Sequence, residues 1–153
     1  MIPFQRVLDD HRDAVWRLCV ATAGRNDADD AFQETWMSAL RAYPRLAPGS
    51  NVRAWLLTIA HRKAIDTHRT RARRPVVVIC AVPDVPAPAP VDEGEDVWAA
   101  VRELPQGQRA ALTLRYAADL THAETAELLG ITTEAVRRRV ADGLKALRGD
   151  IVQ

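Results

Sequence analysis

Apolar residues recur every three or four positions in three stretches of the N-terminal half, which is the period of an amphipathic helix. The first stretch covers residues 4–19. The second covers residues 28–39 and follows an aspartate-rich start, at which Asp27 is the predicted N-cap. The third follows Asn51, also a predicted N-cap, and is apolar nearly all round before it becomes strongly basic. We therefore predict three helices, of which the third is buried at its start and exposed at its end.

Four more apolar-periodic stretches lie in the C-terminal half, and no strand has comparable support. They are DVWAAVREL, QGQRAALTLRYAA, THAETAELLG and ITTEAVRRRVADGLKALR. In the last two, Thr121 and Glu124 have the spacing of a capping box, and Gly130 lies at a turn. The inward stripe that follows consists of Ile131, Val136 and Val140. This layout is that of a helix-turn-helix, whose second helix lies in the major groove of DNA.

A proline-rich stretch separates the two halves. Five of the nine prolines fall within PVVVICAVPDVPAPAPV, where alternating Pro and Ala favour an extended spacer. We predict a flexible linker over residues 75–95, between one domain at residues 1–74 and another at residues 96–153. The VVVIC segment either packs on a domain or a partner or forms a short strand. The predicted fold class is thus all-α, with two small helical bundles joined by this linker.

Length and composition exclude several classes of protein. The 153 residues are 48% hydrophobic and 27% charged, which is ordinary for a folded globular protein. No apolar run reaches the roughly 18 residues of a membrane span, and the N-terminus lacks the order of a signal peptide. We therefore expect a cytoplasmic protein with no membrane partner. Cys19 and Cys80 have no companion at metal-ligand spacing, so no metal site and no cofactor are expected.

The net charge of +1 conceals strong local imbalances. Residues 61–74 carry six cations against Asp66, and residues 137–148 carry five cations against Asp142. Both segments are candidate phosphate-binding surfaces. Residues 27–34 form an acidic block that should repel nucleic acid.

The last predicted helix has a basic outward face. Counting about 100° per residue from Val136, this face consists of Glu134, Arg137, Arg138, Ala141, Lys145 and Arg148, with Arg139 at one flank. The alternative is a solvated helix in which Glu134 and Arg138 form a surface pair.

Two other patterns resemble catalytic sites. His122 and Glu124 resemble the H-x-E of zinc deaminases, but that chemistry needs a downstream PCxxC, and neither cysteine follows. The carboxylates of residues 27–34 have no histidine or glycine-rich loop beside them. They indicate a protein-binding acidic surface or a solvated helix face. We predict no catalytic residues and no enzyme activity.

Taken together and in order, the segments DADDAFQETWMSALRA, RAWLLTIAHRKAID with its basic end, the linker, and LPQGQRAALTLRYAADLTHAETAELLGITTEAVRRRV resemble a known family. It is the extracytoplasmic-function group of bacterial RNA polymerase sigma factors, and the resemblance covers nearly the whole chain. It implies that residues 1–74 are sigma domain 2 and residues 96–153 are sigma domain 4. It further implies a subunit that binds core polymerase, recognises the minus-thirty-five and minus-ten promoter elements and promotes DNA opening.

The resemblance assigns two surfaces in the first domain. A helix that matches D-x-x-D-x-x-Q-E-x-F would dock on the clamp coiled coil of the largest polymerase subunit, through Asp27, Asp29, Asp30, Gln33, Glu34 and Trp36. The minus-ten element would be captured and melted by Arg45, Ser50, Asn51, Arg53, Trp55, Arg62 and Lys63. A basic groove with aromatic support suits single-stranded DNA. Trp55 is alternatively a core residue, and Arg62 stands where many members have asparagine.

In the second domain, the resemblance assigns the minus-thirty-five element to Thr133, Glu134, Arg137, Arg138, Arg139 and Lys145, with the last two better placed for phosphates. It also implies contact with the flap of the second-largest polymerase subunit and an anti-sigma protein as partner. Two alternative functions are a stand-alone helix-turn-helix regulator that binds as a symmetric dimer and an adaptor that binds only proteins.

Overall fold

The computed structural model describes the backbone of residues 2–73 and 95–152 and the side chains of residues 2–67 and 97–149. All regular structure within these ranges is helical, as predicted. The chain divides into two compact units, Met1–Ala89 and Pro90–Gln153. Nearly all of the predicted linker at residues 75–95, including VVVIC, lies outside the described residues. None of the described helices is long and apolar enough to cross a membrane.

The first unit contains three long helices that pack on one another. They are α1 (Phe4–Ala23), α2 (Arg25–Ala42) and α3 (Val52–Arg73), with a short 3-10 turn at Tyr43–Arg45. The predicted start of α2 is wrong, because Gly24 and not Asp27 is the N-cap. Gly24 has φ 86°, a conformation that glycine adopts without a steric cost, and it ends α1 as well. Asp27 therefore lies in the first turn of α2.

The predicted apolar stripe of α2 is confirmed, since all six of its members are buried: Ala28, Ala31, Phe32, Thr35, Trp36 and Ala39. Aromatic rings hold this stripe against α1. The Phe32 ring makes nearly perpendicular contacts with Trp16 and Trp36, at centroid distances of 5.3 and 6.1 Å. Phe4 adds an edge contact with Trp36 at 6.2 Å. Such contacts fix the position of α2 on the bundle.

The second unit contains α4 (Glu95–Arg102), α5 (Gln106–Leu112), α6 (His122–Leu129) and α7 (Thr133–Val152). The predicted QGQRAALTLRYAA helix is interrupted, because the α-helical pattern gives way to a π-helical turn at Thr113–Ala117. The core includes Leu104, Leu112, Val136, Val140 and Leu147. The inward stripe predicted for the last helix is confirmed at Val136 and Val140, whereas Ile131 is only partly buried.

Local hydrogen bonds define the turn between α6 and α7. Thr121 and Glu124 form the predicted capping box, with both hydrogen bonds at 3.0 Å. Gly130 has φ 70° and ends α6 in the left-handed conformation. The Thr132 hydroxyl then accepts a hydrogen bond from the Ala135 amide at 3.1 Å and caps α7. The helix-turn-helix layout is therefore fixed largely by these few residues.

Candidate protein-binding and nucleic-acid interfaces

The solvent-facing side of α2 carries a row of carboxylates. Asp29, Asp30 and Glu34 are exposed, while Asp27 and Gln33 are half-buried. These five residues are called the acidic face. They share one side because the apolar stripe turns the opposite side toward α1 and α3. This arrangement gives α2 a negatively charged surface that a basic partner could bind.

Trp36 does not belong to the acidic face, although it was grouped with these residues as polymerase-binding. Its side chain is only 2% exposed and packs against Phe4 and Phe32. Direct contact with a partner is therefore excluded in this conformation. Trp36 instead holds the backbone of α2, and with it the neighbouring carboxylates, on the bundle. The helical period had already placed Trp36 in the apolar stripe, and that signal was the better guide.

The residues predicted for the minus-ten element surround the 3-10 turn and the first half of α3, and they are called the minus-ten surface. Arg45, Asn51 and Arg62 are exposed, whereas Ser50, Arg53, Trp55 and Lys63 are partly buried. Two of the side chains stabilise the loop itself. The Ser50 hydroxyl donates to the Ala47 carbonyl at 2.6 Å. The Asn51 Oδ1 accepts from the Ala54 amide at 3.1 Å, which confirms the predicted cap of α3.

Trp55 lies between the two alternatives considered for it. Its ring is partly exposed and contacts the Tyr43 ring at a centroid distance of 6.3 Å. Tyr43 is only 8% exposed, packs on Phe4 at 5.3 Å and donates its hydroxyl proton to the Ile2 carbonyl. Trp55 is therefore a partly exposed aromatic residue that is supported by a buried one. The pattern of apolar residues gave no signal for this role of Tyr43.

His11 on α1 is a second residue near this surface that the sequence did not single out. Partial burial lowers the pKa of His11, while Asp10 raises it and the positive charge of Arg53 lowers it further. The electrostatic interaction with Arg53 shows that α1 contributes to the charge environment at the start of α3.

The outward face of α7 is open to solvent, and its residues are called the groove face. Glu134, Arg137, Arg138, Ala141, Lys145 and Arg148 are all exposed, as predicted from the helical period. Thr133 is partly exposed at the start of the helix. No ion pair joins Glu134 to Arg138 in the part of the chain that the structure describes, so the alternative of a surface pair is not realised. Both groups remain available to a ligand.

Arg139 lies apart from the groove face. Its guanidinium covers the start of α5, and a Cβ placed on Gly107 would lie 3.2 Å from its Cζ and Nε atoms. The side chain is partly buried. Packing against α5 therefore accounts for the partial burial of the Arg139 side chain in the free protein. Residue spacing does not reveal this contact, because Gly107 and Arg139 are distant along the chain.

A cationic cluster adjoins the groove face at the start of α6. The pKa of His122 is lowered, first by desolvation and then by the charges of Arg115 and Arg137. Arg115 donates to the Leu120 carbonyl at 2.8 Å and also lies over the Tyr116 ring, 5.4 Å from its centroid. The likeness of His122 and Glu124 to a deaminase motif has a structural explanation, since Glu124 closes the capping box. Among the described residues, no three His, Cys, Asp or Glu side chains are grouped as metal ligands would be.

Comparisons with known proteins agree with this division into two units. Residues 7–74 match the family model Sigma-70 region 2, and residues 94–147 match Sigma-70, region 4. The chain is 33% identical over 141 residues to the ECF RNA polymerase sigma factor SigC of Mycobacterium tuberculosis, covering 89% of this chain and 76% of that protein. It is 32% identical over 138 residues to the ECF RNA polymerase sigma factor ShbA of Streptomyces griseus, covering 81% of this chain and 71% of that protein.

Solved structures give the same picture. The sigma factor RpoE of Bartonella quintana, in complex with the anti-sigma factor NepR, aligns with a TM-score of 0.75 at 25% identity, covering 95% of this chain and 94% of that one. CnrH, in complex with the cytosolic domain of CnrY, aligns with a TM-score of 0.75 at 22% identity, covering 97% and 86% respectively. The second likeness concerns the fold alone.

Proposed function

The chain belongs to the extracytoplasmic-function group of RNA polymerase sigma factors and serves promoter recognition, and from this membership we propose how its surfaces share that task. Residues 1–74 of the first unit act as sigma domain 2, and residues 96–153 of the second unit act as sigma domain 4. Residues 75–95 link them. The acidic face docks on the clamp coiled coil of the largest polymerase subunit, and the flap of the second-largest subunit receives the second unit.

The observation that carries this proposal is the groove face of α7. Arg137 and Arg138 project from a helix-turn-helix with no ion pair in the described part of the chain, and Glu134 is equally unpaired. An arginine that reaches O6 and N7 of guanine contributes roughly 1 to 3 kcal/mol of discrimination, whereas a phosphate contact adds affinity without selecting sequence. We assign Arg137, Arg138 and Glu134 to base edges of the minus-thirty-five element. Thr133 meets the same element in the major groove, and Lys145 and Arg139 contact the phosphate backbone, with Arg139 leaving Gly107 to do so.

The minus-ten element falls to the first unit. Arg45, Arg53, Arg62 and Lys63 supply positive charge around the loop, and Trp55 presents an aromatic ring at its edge. Unpaired bases can stack on such a ring, and their phosphates are held by the cations. Ser50 and Asn51 shape the loop and present polar groups to the displaced strand. This surface favours the opened form of the DNA, which is how the protein would promote melting.

The proposed role requires no catalysis by this chain, because the phosphodiester chemistry belongs to the polymerase. Its place of action is the cytoplasm, where polymerase and DNA meet. We also propose that an anti-sigma protein regulates it, since the related sigma factor RpoE was solved in complex with the anti-sigma factor NepR.

Run-off transcription tests this proposal. Purified core polymerase is supplied with genomic promoter fragments, with and without the chain, and new start sites are mapped. We expect start sites that depend on the chain. Absence of any such site, together with no binding to core, would contradict the proposal. A chain that binds DNA as a symmetric dimer without core would instead indicate a stand-alone regulator.

The acidic face has its own test. Asp30→Arg combined with Glu34→Arg reverses two exposed charges and should abolish co-elution with core at moderate salt, while circular dichroism shows an unchanged helical content. Asp13→Arg, an exposed charge reversal on α1, is the control and should co-elute with core as the original chain does. Undiminished co-elution of the double variant would remove the acidic face from the docking model.

A further inference from the structure

An ion pair joins the acidic face of α2 to the basic helix α3. Lys63 Nζ lies 3.5 Å from Glu34 Oε2, and the two side chains are 31% and 58% exposed. Glu34 belongs to the surface assigned to polymerase, and Lys63 belongs to the surface assigned to the minus-ten element. In the free protein, two groups that serve different partners therefore neutralise one another.

The backbones on both sides of this pair are fixed by the core. Trp36 is buried two residues after Glu34, and Ala60 and Ala64 are fully buried on either side of Lys63. A change of partner must therefore occur through the side chains alone. The lysine side chain suits such a change, because its ammonium group sits on a flexible four-carbon stem and has no fixed donor geometry.

We propose that Lys63 shields Glu34 until polymerase binds, and that docking then transfers Lys63 from Glu34 to the phosphates of the minus-ten strand. This inference rests on the function proposed above and adds a coupling between its two partners. The polymerase binds the Glu34 carboxylate, and the Lys63 ammonium then has no counter-charge. The freed ammonium then strengthens the minus-ten surface only in the complex, where promoter DNA is to be opened.

The coupling acts in both directions, because linkage requires that DNA bound to Lys63 also release Glu34 for polymerase. Its size follows from the exposure of the pair. Partly exposed ion pairs contribute little to stability, so we expect an effect of about two- to fivefold on affinity. The effect should decrease as salt is raised, since added ions screen exposed charges.

The test measures the affinity of the full chain for core polymerase by fluorescence titration at low salt. Lys63→Met keeps the apolar stem and removes the charge, so that Glu34 is unshielded. We expect this variant to bind core about two- to fivefold more tightly. Arg17→Met is the control, because it removes an exposed cation from α1 of the same unit. It should leave the affinity unchanged.

A double-mutant cycle separates partner exchange from general charge effects. Glu34→Gln removes the shielded carboxylate, so Lys63→Met in that background should no longer strengthen binding. A gain that persists in the Glu34→Gln background would overturn the proposal, because it would reflect repulsion between Lys63 and the polymerase. Weaker binding by Lys63→Met alone would overturn it as well, since Lys63 would then be part of the docking surface.

Failure of this inference is distinguishable from failure of the proposed function. If the original chain binds core and Lys63→Met behaves as Arg17→Met does, the sigma-factor surfaces stand and the exchange is refuted. If the original chain does not bind core at all, the docking model and the exchange fail together.

Discussion

The two helices that the proposed function assigns to DNA, α3 and α7, differ in how many internal contacts their polar side chains make. Before the start of α3, Ser50 and Asn51 are hydrogen-bonded within the loop, and in the middle of α3 Lys63 is paired with Glu34. On α7, Glu134 and Arg138 have no ion pair in the described residues. A ligand of Glu134 and Arg138 only has to displace water, whereas a ligand of Ser50, Asn51 or Lys63 must also compete with internal contacts. Binding at the minus-ten surface is therefore conditional on the release of these contacts, whereas the groove face is ready to bind.

This difference suits the two forms of DNA that the proposed function assigns to them. A minus-thirty-five element is read as an intact duplex, which an exposed helix can enter directly. A minus-ten element must be opened, and its bases become available only during that step. The internal contacts of Ser50, Asn51 and Lys63 would lower the affinity of this surface for DNA before polymerase and the opened strand are present.

The largest expected effect concerns the scaffold below the acidic face of α2. Trp36→Ala removes a side chain buried to 98% and should destabilise the first unit by about 3 to 5 kcal/mol, as large core truncations do. Urea unfolding, followed by the helical signal of the full chain, measures this loss. Trp36→Phe retains an aromatic ring and should lose less stability while still binding core. Weakened core binding by a stably folded Trp36→Phe would return Trp36 to the docking surface.

A smaller effect is expected at the support of α7. A Cβ on Gly143 would lie 2.7 Å from Cδ1 of the buried Leu112, so Gly143→Ala requires the Leu112 side chain to shift within the core and should cost about 1 to 3 kcal/mol. Gly149→Ala is a matched control on the same helix, because nothing lies within 4 Å of its added Cβ. Thermal unfolding should show destabilisation of Gly143→Ala alone. Equal melting temperatures for both variants and the original chain would contradict the close packing.

An effect of similar size is expected at the groove face. It changes the discrimination between DNA sequences and not the stability of the fold. Arg138→Ala should lose roughly 1 to 3 kcal/mol of preference among minus-thirty-five sequences, because it removes one base-reading guanidinium. Lys145→Ala should weaken binding to all sequences uniformly and reduce its salt dependence. Holoenzyme binding to a library of duplex variants distinguishes the two patterns. A uniform loss for Arg138→Ala would assign that residue to phosphate.

How far the sequence predicted these features depends on the range of the interaction involved. Short-range features were predicted well: the apolar stripe of α2, the capping box before α6 and the outward residues of α7 follow from spacing alone. The contact between Arg139 and Gly107 depends on how α7 crosses α5, which spacing does not encode. The start of α2 was misplaced because an aspartate at a helix start resembles an N-cap, whereas Gly24 supplies the turn through its positive φ.

The two sources of sequence information disagreed at Trp36. The helical period placed it in the core, and the family motif placed it among the docking residues. The burial of Trp36 agrees with the helical period. The family motif includes it nevertheless, because a motif also contains residues that position a surface without touching the partner. The roles of the acidic face, the minus-ten surface and the groove face remain predictions. Each role depends on the partner that binds the surface and does not follow from the fold of this chain alone.

The smallest expected effects concern the N-caps of α3 and α7. They test whether the two caps differ in their importance for DNA binding. Asn51 caps α3 and Thr132 caps α7, each through a hydrogen bond of 3.1 Å to a backbone amide. Replacing either with alanine should cost about 1 kcal/mol of stability, measured by thermal unfolding.

Asn51→Asp separates capping from DNA binding at α3. Aspartate caps a helix as well as asparagine does, and the positive end of the helix dipole stabilises its negative charge. The stability of the first unit should therefore be retained. The new carboxylate would nevertheless lie on the minus-ten surface and repel phosphate. We therefore expect a holoenzyme with unchanged core affinity and slower promoter opening, followed by the fluorescence of a base analogue in the minus-ten strand. Thr132→Asp preserves the cap of α7 and should leave the opening rate of a bound promoter unchanged. Equal opening rates for Asn51→Asp and the original chain would show that Asn51 shapes the loop without facing the DNA, and the conditional surface would then begin at Arg53.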